Sequence, residues 1–215
     1  MSKLSTVGLW TAAYGASEID RLCNEVKEVE QKAKNILNEI IKPGMSDFEK
    51  ELAIHDYIVE NTTYDYDNYI RRTIPRESYS PYGVLIKGTG VCAGYSQTMD
   101  LLLGMTGIES MTIMGLTGPG EHDWNIVKID GEYYHVDATW DDPPVNEEGI
   151  VWHNYFNLSD SEMAEDHLWE DGIYPVCDNY RYNYMFYNYC KGAGVPLEAY
   201  TLSGTITTHD GKPAP

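Results

Sequence analysis

The chain has 215 residues, 42% of them hydrophobic, which is enough to bury one sizeable core. Its 34 acidic residues outnumber its 15 basic residues and leave a formal net charge of −19 at pH 7. A phosphate backbone is repelled by such a charge, so nucleic acid is not an expected partner. No run approaches the roughly 18 apolar residues of a membrane span, and we expect no transmembrane segment.

The four cysteines, Cys23, Cys92, Cys177 and Cys190, form no CxxC pair. The sequence therefore indicates neither a structural zinc site nor a dithiol redox motif. Cys177 and Cys190 would pair only in an oxidising compartment. The stretch Leu4–Ala16 is too polar for a good signal peptide, which leaves open a cytoplasmic chain or a secreted one without its leader.

The first predicted elements are two helices. Apolar residues recur every three or four positions from Ile19 to Ile41, which predicts a long amphipathic helix ended by Lys42-Pro43-Gly44. Ser46 and Glu49 have the spacing of a capping box at the start of a second helix. His55 lies on the apolar side of that helix, and we interpret it as a hydrogen-bonded core histidine.

The middle of the chain changes from helical to strand periodicity. The tyrosine-rich stretch Asn61–Pro81 is predicted to be a covering loop without a helix. A third helix begins near Val91 and ends around Gly104 and Gly107. A period of two then predicts strands at Met111–Met114, Trp124–Ile129 and Tyr133–Ala138.

The C-terminal third is less regular. We predict a strand at Asn154–Asn157 and a short helix from Ser159 to Met163. The tyrosines at positions 180, 182 and 184 alternate, which predicts a half-buried strand, although a peptide- or sugar-binding platform is an alternative. Residues 202–213 are predicted to be a strand that ends in a turn.

The pair Asp130-Gly131 between two predicted strands is a strong signal for a two-residue hairpin, because a type I′ turn needs positive φ at both positions. This turn fixes the register. If Ile129 faces Glu132, then Trp124 faces Asp137.

The register brings two functional side chains together. His122 lies two residues before Trp124 on the same face, which makes it a diagonal neighbour of Asp137, about 7 Å away at the backbone. A carboxylate beside one ring nitrogen orients an imidazole, and the other nitrogen can take a proton from a nucleophile. Cys92 is the candidate nucleophile, since free amides and the dipole at a helix start stabilise both a thiolate and an oxyanion.

Other interpretations of these residues remain. Cys92 can be a buried, inert thiol, or the triad can be intact but inactive. His135 shares the face of Asp137 and is an alternative orienting partner. His122, Asp137, His135 and the pair Asp141-Asp142 can also be taken as a metal site, which would leave the thiol unexplained.

Three motifs resemble the bacterial transglutaminase-like superfamily, whose fold is related to that of papain-like cysteine proteinases: "GVCAGYSQTMDLLL", "HDWNIVKIDGEYYHVDATWDDP" and "YFNLSD". The resemblance runs from about Leu52 to about Trp169. It implies an α+β fold in which N-terminal helices and a catalytic helix pack on an antiparallel sheet. It also implies Cys92 as nucleophile, His122 as base and acid, and Asp137 as the orienting carboxylate.

The resemblance carries further expectations. Asp123 stands where this family often has alanine, and it should face away from the site. The sequence contains no calcium-loop motif, so we predict no cofactor and no required metal. We assign residues 1–45 to a helix packing on the core, 46–200 to the catalytic domain, and 201–215 to a linker or the first strand of a following β-domain.

The expected activity is thiol-dependent acyl transfer on amide or peptide bonds, with hydrolysis favoured over transamidation. Trp124 and Trp140 are predicted cleft walls, and Gly90, Tyr95 and His135 are placed beside them as substrate-binding or cleft residues. The expected partner is a protein or peptide substrate, including cell-wall peptide, outside the cell or at its surface rather than in the cytoplasm. The alternative is an inactive module that binds peptide or glycan at a cell surface.

Overall fold

A computed structural model describes residues 16–142 and 151–194. Within these ranges the chain has an α+β fold, in which helices pack on a five-stranded antiparallel sheet. No helix in the described ranges is long and apolar enough to cross a membrane. The predicted strand at residues 202–213 and nearly all of the Leu4–Ala16 stretch lie outside the described residues.

The helices are α1 (Ala16–Ile40), α2 (Asp47–Asn61), α3 (Tyr66–Arg71), α4 (Cys92–Thr106), α5 (Asp160–Met163) and α6 (Tyr184–Ala193). A 3₁₀ turn occupies Arg76–Tyr79, and a π-helical turn occupies Gly83–Lys87. Strands β1 (Thr63–Tyr64) and β2 (Thr89–Gly90) pair in parallel. The five-stranded sheet has the order β6 (Phe156–Leu158), β5 (Glu132–Val136), β4 (Gly120–Ile129), β3 (Ser110–Thr117) and β7 (His167–Leu168).

The predicted capping box at the start of α2 is confirmed. The Glu49 amide donates to Ser46 Oγ at 3.2 Å, and the Ser46 amide donates to the Glu49 carboxylate at 2.8 Å. Ser159 and Glu162 repeat this arrangement at the start of α5. These reciprocal bonds satisfy amides that have no partner inside a helix, which fixes where each helix begins.

The predicted hairpin register is also confirmed. Asp130 and Gly131 adopt φ values of 51° and 91°, as a type I′ turn requires. Ile129 pairs with Glu132, and the ladder continues to the pair of Asn125 with Val136. Asp137 follows directly after the last residue of β5.

The sheet separates two apolar clusters. The larger one lies between the helices and one face of the sheet and includes Met99 and Leu102 of α4. The smaller one contains Ile113, Trp124, Ile126, Leu158, Met163 and Cys177. All four cysteines lie within the described residues and none is paired, so the structure contains no bridge between Cys177 and Cys190.

Two predictions of secondary structure are wrong. The stretch Asn61–Pro81 contains the six-residue helix α3, which ends where Arg72 adopts a left-handed conformation. The tyrosines after position 183 lie on helix α6, not on a strand. The Asn183 side chain accepts the amides of Met185 and Phe186 at 3.1 and 3.3 Å, and this cap starts a helix that period-two alternation does not reveal.

The hairpin turn gives a first test. We expect Gly131→Ala to lower the free energy of unfolding by about 1 kcal/mol, because a Cβ disfavours positive φ. Gly118→Ala is the matched control, since a Cβ there meets no atom within 4 Å and the backbone is not left-handed. Urea denaturation of both variants measures the difference. Equal losses in both variants would contradict the role of the turn.

Candidate active site

Cys92 is the first residue of α4, and the backbone around it is fixed from both sides. The Val91 amide donates to Ser78 O at 2.9 Å, and Val91 O accepts the amides of Gly94 and Tyr95 at 2.7 and 3.1 Å. The first amides of an α-helix have no acceptor within the helix. Because Val91 O takes the amides of Gly94 and Tyr95, the amides of Cys92 and Ala93 are the ones left without an acceptor in the helix, and the partly exposed Cys92 lies at this positive end of α4.

Two glycines allow neighbouring segments to pack closely against the start of α4. A Cβ on Gly94 would lie 2.5 Å from Ser78 O, and a Cβ on Gly90 would lie 2.7 Å from Val84 Cγ2. Both glycines are buried. Gly90, predicted to be a cleft residue, thus lies in the packing behind Cys92.

β1 brings a tyrosine to the thiol. Tyr64 pairs with Gly90, two residues before Cys92, and its backbone donates a hydrogen bond to the Asp142 carboxylate. Burial raises the pKa of Tyr64, and the nearby Cys92 raises it further. Sequence reasoning placed Tyr64 only in a covering loop; the parallel pairing of β1 and β2 positions it beside the thiol.

His122 and Asp137 meet as the register predicts. His122 Nε2 lies 2.6 Å from Asp137 Oδ2, and both side chains are buried. The other carboxylate oxygen, Oδ1, accepts the amides of Thr139 and Trp140 at 2.9 and 3.1 Å. These bonds fix the carboxylate and therefore the orientation of the imidazole.

The environment favours a charged His122. Burial alone would lower the pKa of His122, but the Asp137 carboxylate and, to a smaller extent, the Cys92 side chain outweigh it and raise the pKa to about 10. Burial would raise the pKa of Asp137, yet the charge and hydrogen bonds of His122 and His167 hold it well below its usual range. The result at neutral pH is an ion pair of imidazolium and carboxylate with Cys92 beside the ring.

Two tryptophans flank the His122 ring. The fully buried Trp124 stacks at 6.0 Å between ring centroids, with an interplanar angle of 19°. The partly exposed Trp140 lies 5.7 Å away at 48°. Because the two tryptophan rings limit the access of water to His122, they strengthen its electrostatic interaction with Asp137.

His167 is a residue that sequence reasoning missed. Its Nε2 lies 3.2 Å from Asp137 Oδ2, its Nδ1 lies 2.6 Å from Asp166 Oδ1, and the side chain is fully buried. β7 brings His167 opposite Thr117 at the edge of the sheet. No local sequence signal gives the register of a two-residue edge strand with a distant partner.

His135 does not contact Asp137. The Trp124 indole donates to His135 Nδ1 at 3.0 Å, and His135 Nε2 lies 2.9 Å from Asp160 Oδ1. The alternative in which His135 orients His122 is therefore wrong. Tyr95 and the predicted cleft wall Trp124 are buried like His135, so none of these three side chains is an exposed wall of a cleft. The Tyr95 hydroxyl lies 2.5 Å from Asp142 Oδ2.

Three groups of side chains have the spacing of metal ligands within the described ranges. They are His122, Asp137 and His167; His55, Asp56 and His153; and His135, Asp160 and Cys177. The alternative metal set of His122, Asp137, His135 and the pair Asp141-Asp142 is not brought together, since His167 lies with His122 and Asp137 and His135 lies in another group. In the last group His135 accepts a hydrogen bond at Nδ1, so its Nε2 carries the hydrogen and has no lone pair for a metal.

The second group matches the prediction of a core histidine. His55 is fully buried, with Nδ1 and Nε2 each 3.1 Å from a carboxylate oxygen, of Asp56 and Asp141 respectively. Burial would lower the pKa of His55, but the two carboxylates raise it to about 9. Hydrogen bonds account for this group without a metal.

Part of the chain matches a known protein family. The family model that describes the transglutaminase-like superfamily core matches residues 34–138. This part of the chain, just under half of its length, is therefore similar to the transglutaminase-like superfamily core. The α+β fold is the one that this similarity implies, and such a fold supports cysteine-protease or acyltransferase chemistry in general.

The relatives are distant and longer. The chain is 22% identical over 204 residues to the human kyphoscoliosis peptidase, covering 82% of this chain and 30% of that protein. It is 21% identical over 150 residues to the mouse kyphoscoliosis peptidase, covering 62% of this chain and 22% of that protein. A solved structure of a TGase overlaps 56% of this chain and 32% of its own, with 17% identity and a TM-score of 0.45.

The raised pKa of His122 predicts a pH dependence of stability. A group whose pKa is raised from 6.5 to about 10 on folding stabilises the fold fully below pH 6.5 and loses that contribution as the pH approaches 10. We expect the difference in unfolding free energy between the native chain and His122→Gln to shrink over this interval, by at most about 1.4 kcal/mol per pH unit. A difference that stays constant in urea titrations would contradict the ion pair.

Proposed function

We propose that the chain catalyses thiol-dependent acyl transfer on amide or peptide bonds. Cys92 is the nucleophile, His122 the base and acid, and Asp137 the orienting carboxylate. The single observation that carries this proposal is the contact of 2.6 Å between His122 Nε2 and Asp137 Oδ2, made by a ring whose pKa Cys92 also raises. An imidazole held at one nitrogen can serve a thiol at the other.

The reaction has two stages. Cys92 Sγ, held as a thiolate beside the His122 imidazolium, attacks the amide carbonyl carbon and forms a tetrahedral oxyanion. The C–N bond then breaks, His122 gives its proton to the departing amine, and a thioester remains. In the second stage His122 takes a proton from water or from an amine, which attacks the thioester carbonyl carbon. The C–S bond then breaks, the carboxylic acid or new amide leaves, and the Cys92 thiolate is restored beside the His122 imidazolium.

The start of α4 supplies the electrostatic part. The amides of Cys92 and Ala93, the first two residues of α4, have no acceptor within the helix, and the helix dipole adds partial positive charge at this end. Such donors stabilise an oxyanion more than a neutral carbonyl, which lowers the barrier of the attack. No metal is needed for any of these steps.

The substrate is proposed from chemistry and from the relatives. A transglutaminase-like core and a relative named a peptidase favour peptide amides, with hydrolysis ahead of transamidation. The net charge of −19 favours peptides with cationic groups over anionic ones. We propose cell-wall peptide as one such substrate. We further propose that the protein acts outside the cell or at its surface.

Alkylation tests the activation of the thiol, and the chain supplies its own control. Cys23 is exposed, whereas Cys177 and Cys190 are buried. At about pH 6 we expect iodoacetamide to modify Cys92 at least tenfold faster than Cys23, since only Cys92 has an imidazolium partner that favours the thiolate. Peptide mapping by mass spectrometry gives both rates. A Cys92 rate equal to that of Cys23 would refute activation.

Turnover tests the reaction itself. With a library of peptide amides we expect release of amine, a thioester on Cys92, and loss of both in Cys92→Ala but not in Cys23→Ala. Added primary amine separates the outcomes, because transamidation gives a new amide whereas hydrolysis gives a carboxylic acid. If Cys92→Ala retains every measurable property of the native chain, the chain is instead a binding module and the proposal fails.

A further inference from the structure

The Asp137 carboxylate has more partners than a triad needs. Oδ1 accepts two backbone amides, and Oδ2 faces two imidazoles, His122 at 2.6 Å and His167 at 3.2 Å. The two histidine contacts compete for the electron density of one oxygen. A hydrogen bond from His167 lowers the basicity of Oδ2, and this weakens the hydrogen bond between Oδ2 and His122.

His167 is held firmly in this position. Asp166 Oδ1 lies 2.6 Å from its Nδ1, and the ring packs against Trp140 at 4.4 Å and Trp124 at 5.0 Å between centroids. Because both ring nitrogens face carboxylate oxygens, both contacts are hydrogen bonds only when the ring carries both of its protons. The His167 ring also lies near the His122 ring, at 5.5 Å between centroids.

We propose that His167 is a positioning residue of this site, which shares the Asp137 carboxylate with His122 and so limits how tightly His122 holds its proton. This inference rests on the proposed roles of His122 and Asp137 in acyl transfer. A general acid that binds its proton too strongly is a poor donor to a departing amine, so the second imidazole would favour the step in which the C–N bond breaks.

Other charged groups near His122 do not replace this effect. Within the described residues, besides Asp137 and His167, the ionisable side chains that influence the ring are Cys92 and the half-buried Asp123, while Asp166 bonds the far nitrogen of His167. Cys92 stabilises the protonated ring, and so does a negatively charged Asp123. Among these neighbours His167 alone acts in the opposite direction, through its competition for Oδ2.

Two substitutions separate the contacts of His167. The Gln side-chain amide reaches the position of Nε2, so His167→Gln keeps a donor towards Asp137. The Asn side-chain amide reaches only the position of Nδ1, so His167→Asn keeps a polar group towards Asp166 and withdraws the donor from Asp137. Both variants are made in a Cys92→Ala chain, which cannot form a thioester, and circular dichroism confirms that each is folded.

The measurement is the pKa of His122, from NMR titration of histidine-labelled protein, with the resonance assigned through its loss in His122→Gln. We expect His167→Asn to raise this pKa by at least about half a unit, a threefold stronger hold on the proton, and His167→Gln to raise it by less than half as much. His153→Gln is the matched control and should change nothing, because His153 bonds Asp56 instead.

An unchanged or lowered pKa in His167→Asn would overturn the inference, and so would equal shifts in the Asn and Gln variants. The result is independent of turnover. If Cys92 of the native chain is not activated but the His167→Asn shift is observed, acyl transfer fails and the sharing of Asp137 stands. If Cys92 is activated and no shift is observed, His167 serves only packing.

Discussion

The buried Asp137 carboxylate is the interaction on which the rest of the site depends. Burying a carboxylate costs free energy unless both of its oxygens accept hydrogen bonds. Here two amides and two imidazoles contact the Asp137 oxygens. The donors come from three separate parts of the chain: β4, β7 and the turn that follows β5. Removing any of them leaves a buried negative charge with fewer partners, so the carboxylate fixes the relative positions of these segments as well as the imidazole of His122.

The turn after β5 extends this constraint to the helices. Asp137, Asp141 and Asp142 lie within six residues, and each binds a different element. Asp141 bonds His55 of α2, while Asp142 bonds the hydroxyl of Tyr95 on α4. One short segment thus connects the sheet to the helix that begins at Cys92, and this arrangement explains how a thiol and an imidazole from distant parts of the sequence keep a common orientation.

Sequence predicted the parts of the site that follow from local geometry. The Asp130-Gly131 turn determines the register, and the register places His122 beside Asp137, as the structure confirms. The helix that begins at Cys92 was also predictable, from glycines and apolar spacing. His167 was not, because its position depends on the pairing of a two-residue strand at the far edge of the sheet. The position of Tyr64 beside the thiol likewise depends on the pairing of β1 with the distant β2, which periodicity does not encode.

The central claim is that Asp137 acts on Cys92 through His122. The most direct test is the rate at which iodoacetamide alkylates Cys92 in Asp137→Asn compared with the native chain. The account predicts a rate at least about tenfold lower in the variant near pH 6, with the rate at Cys23 unchanged, because an amide does not stabilise the imidazolium that keeps the thiolate. Equal rates at Cys92 in a folded variant would contradict it.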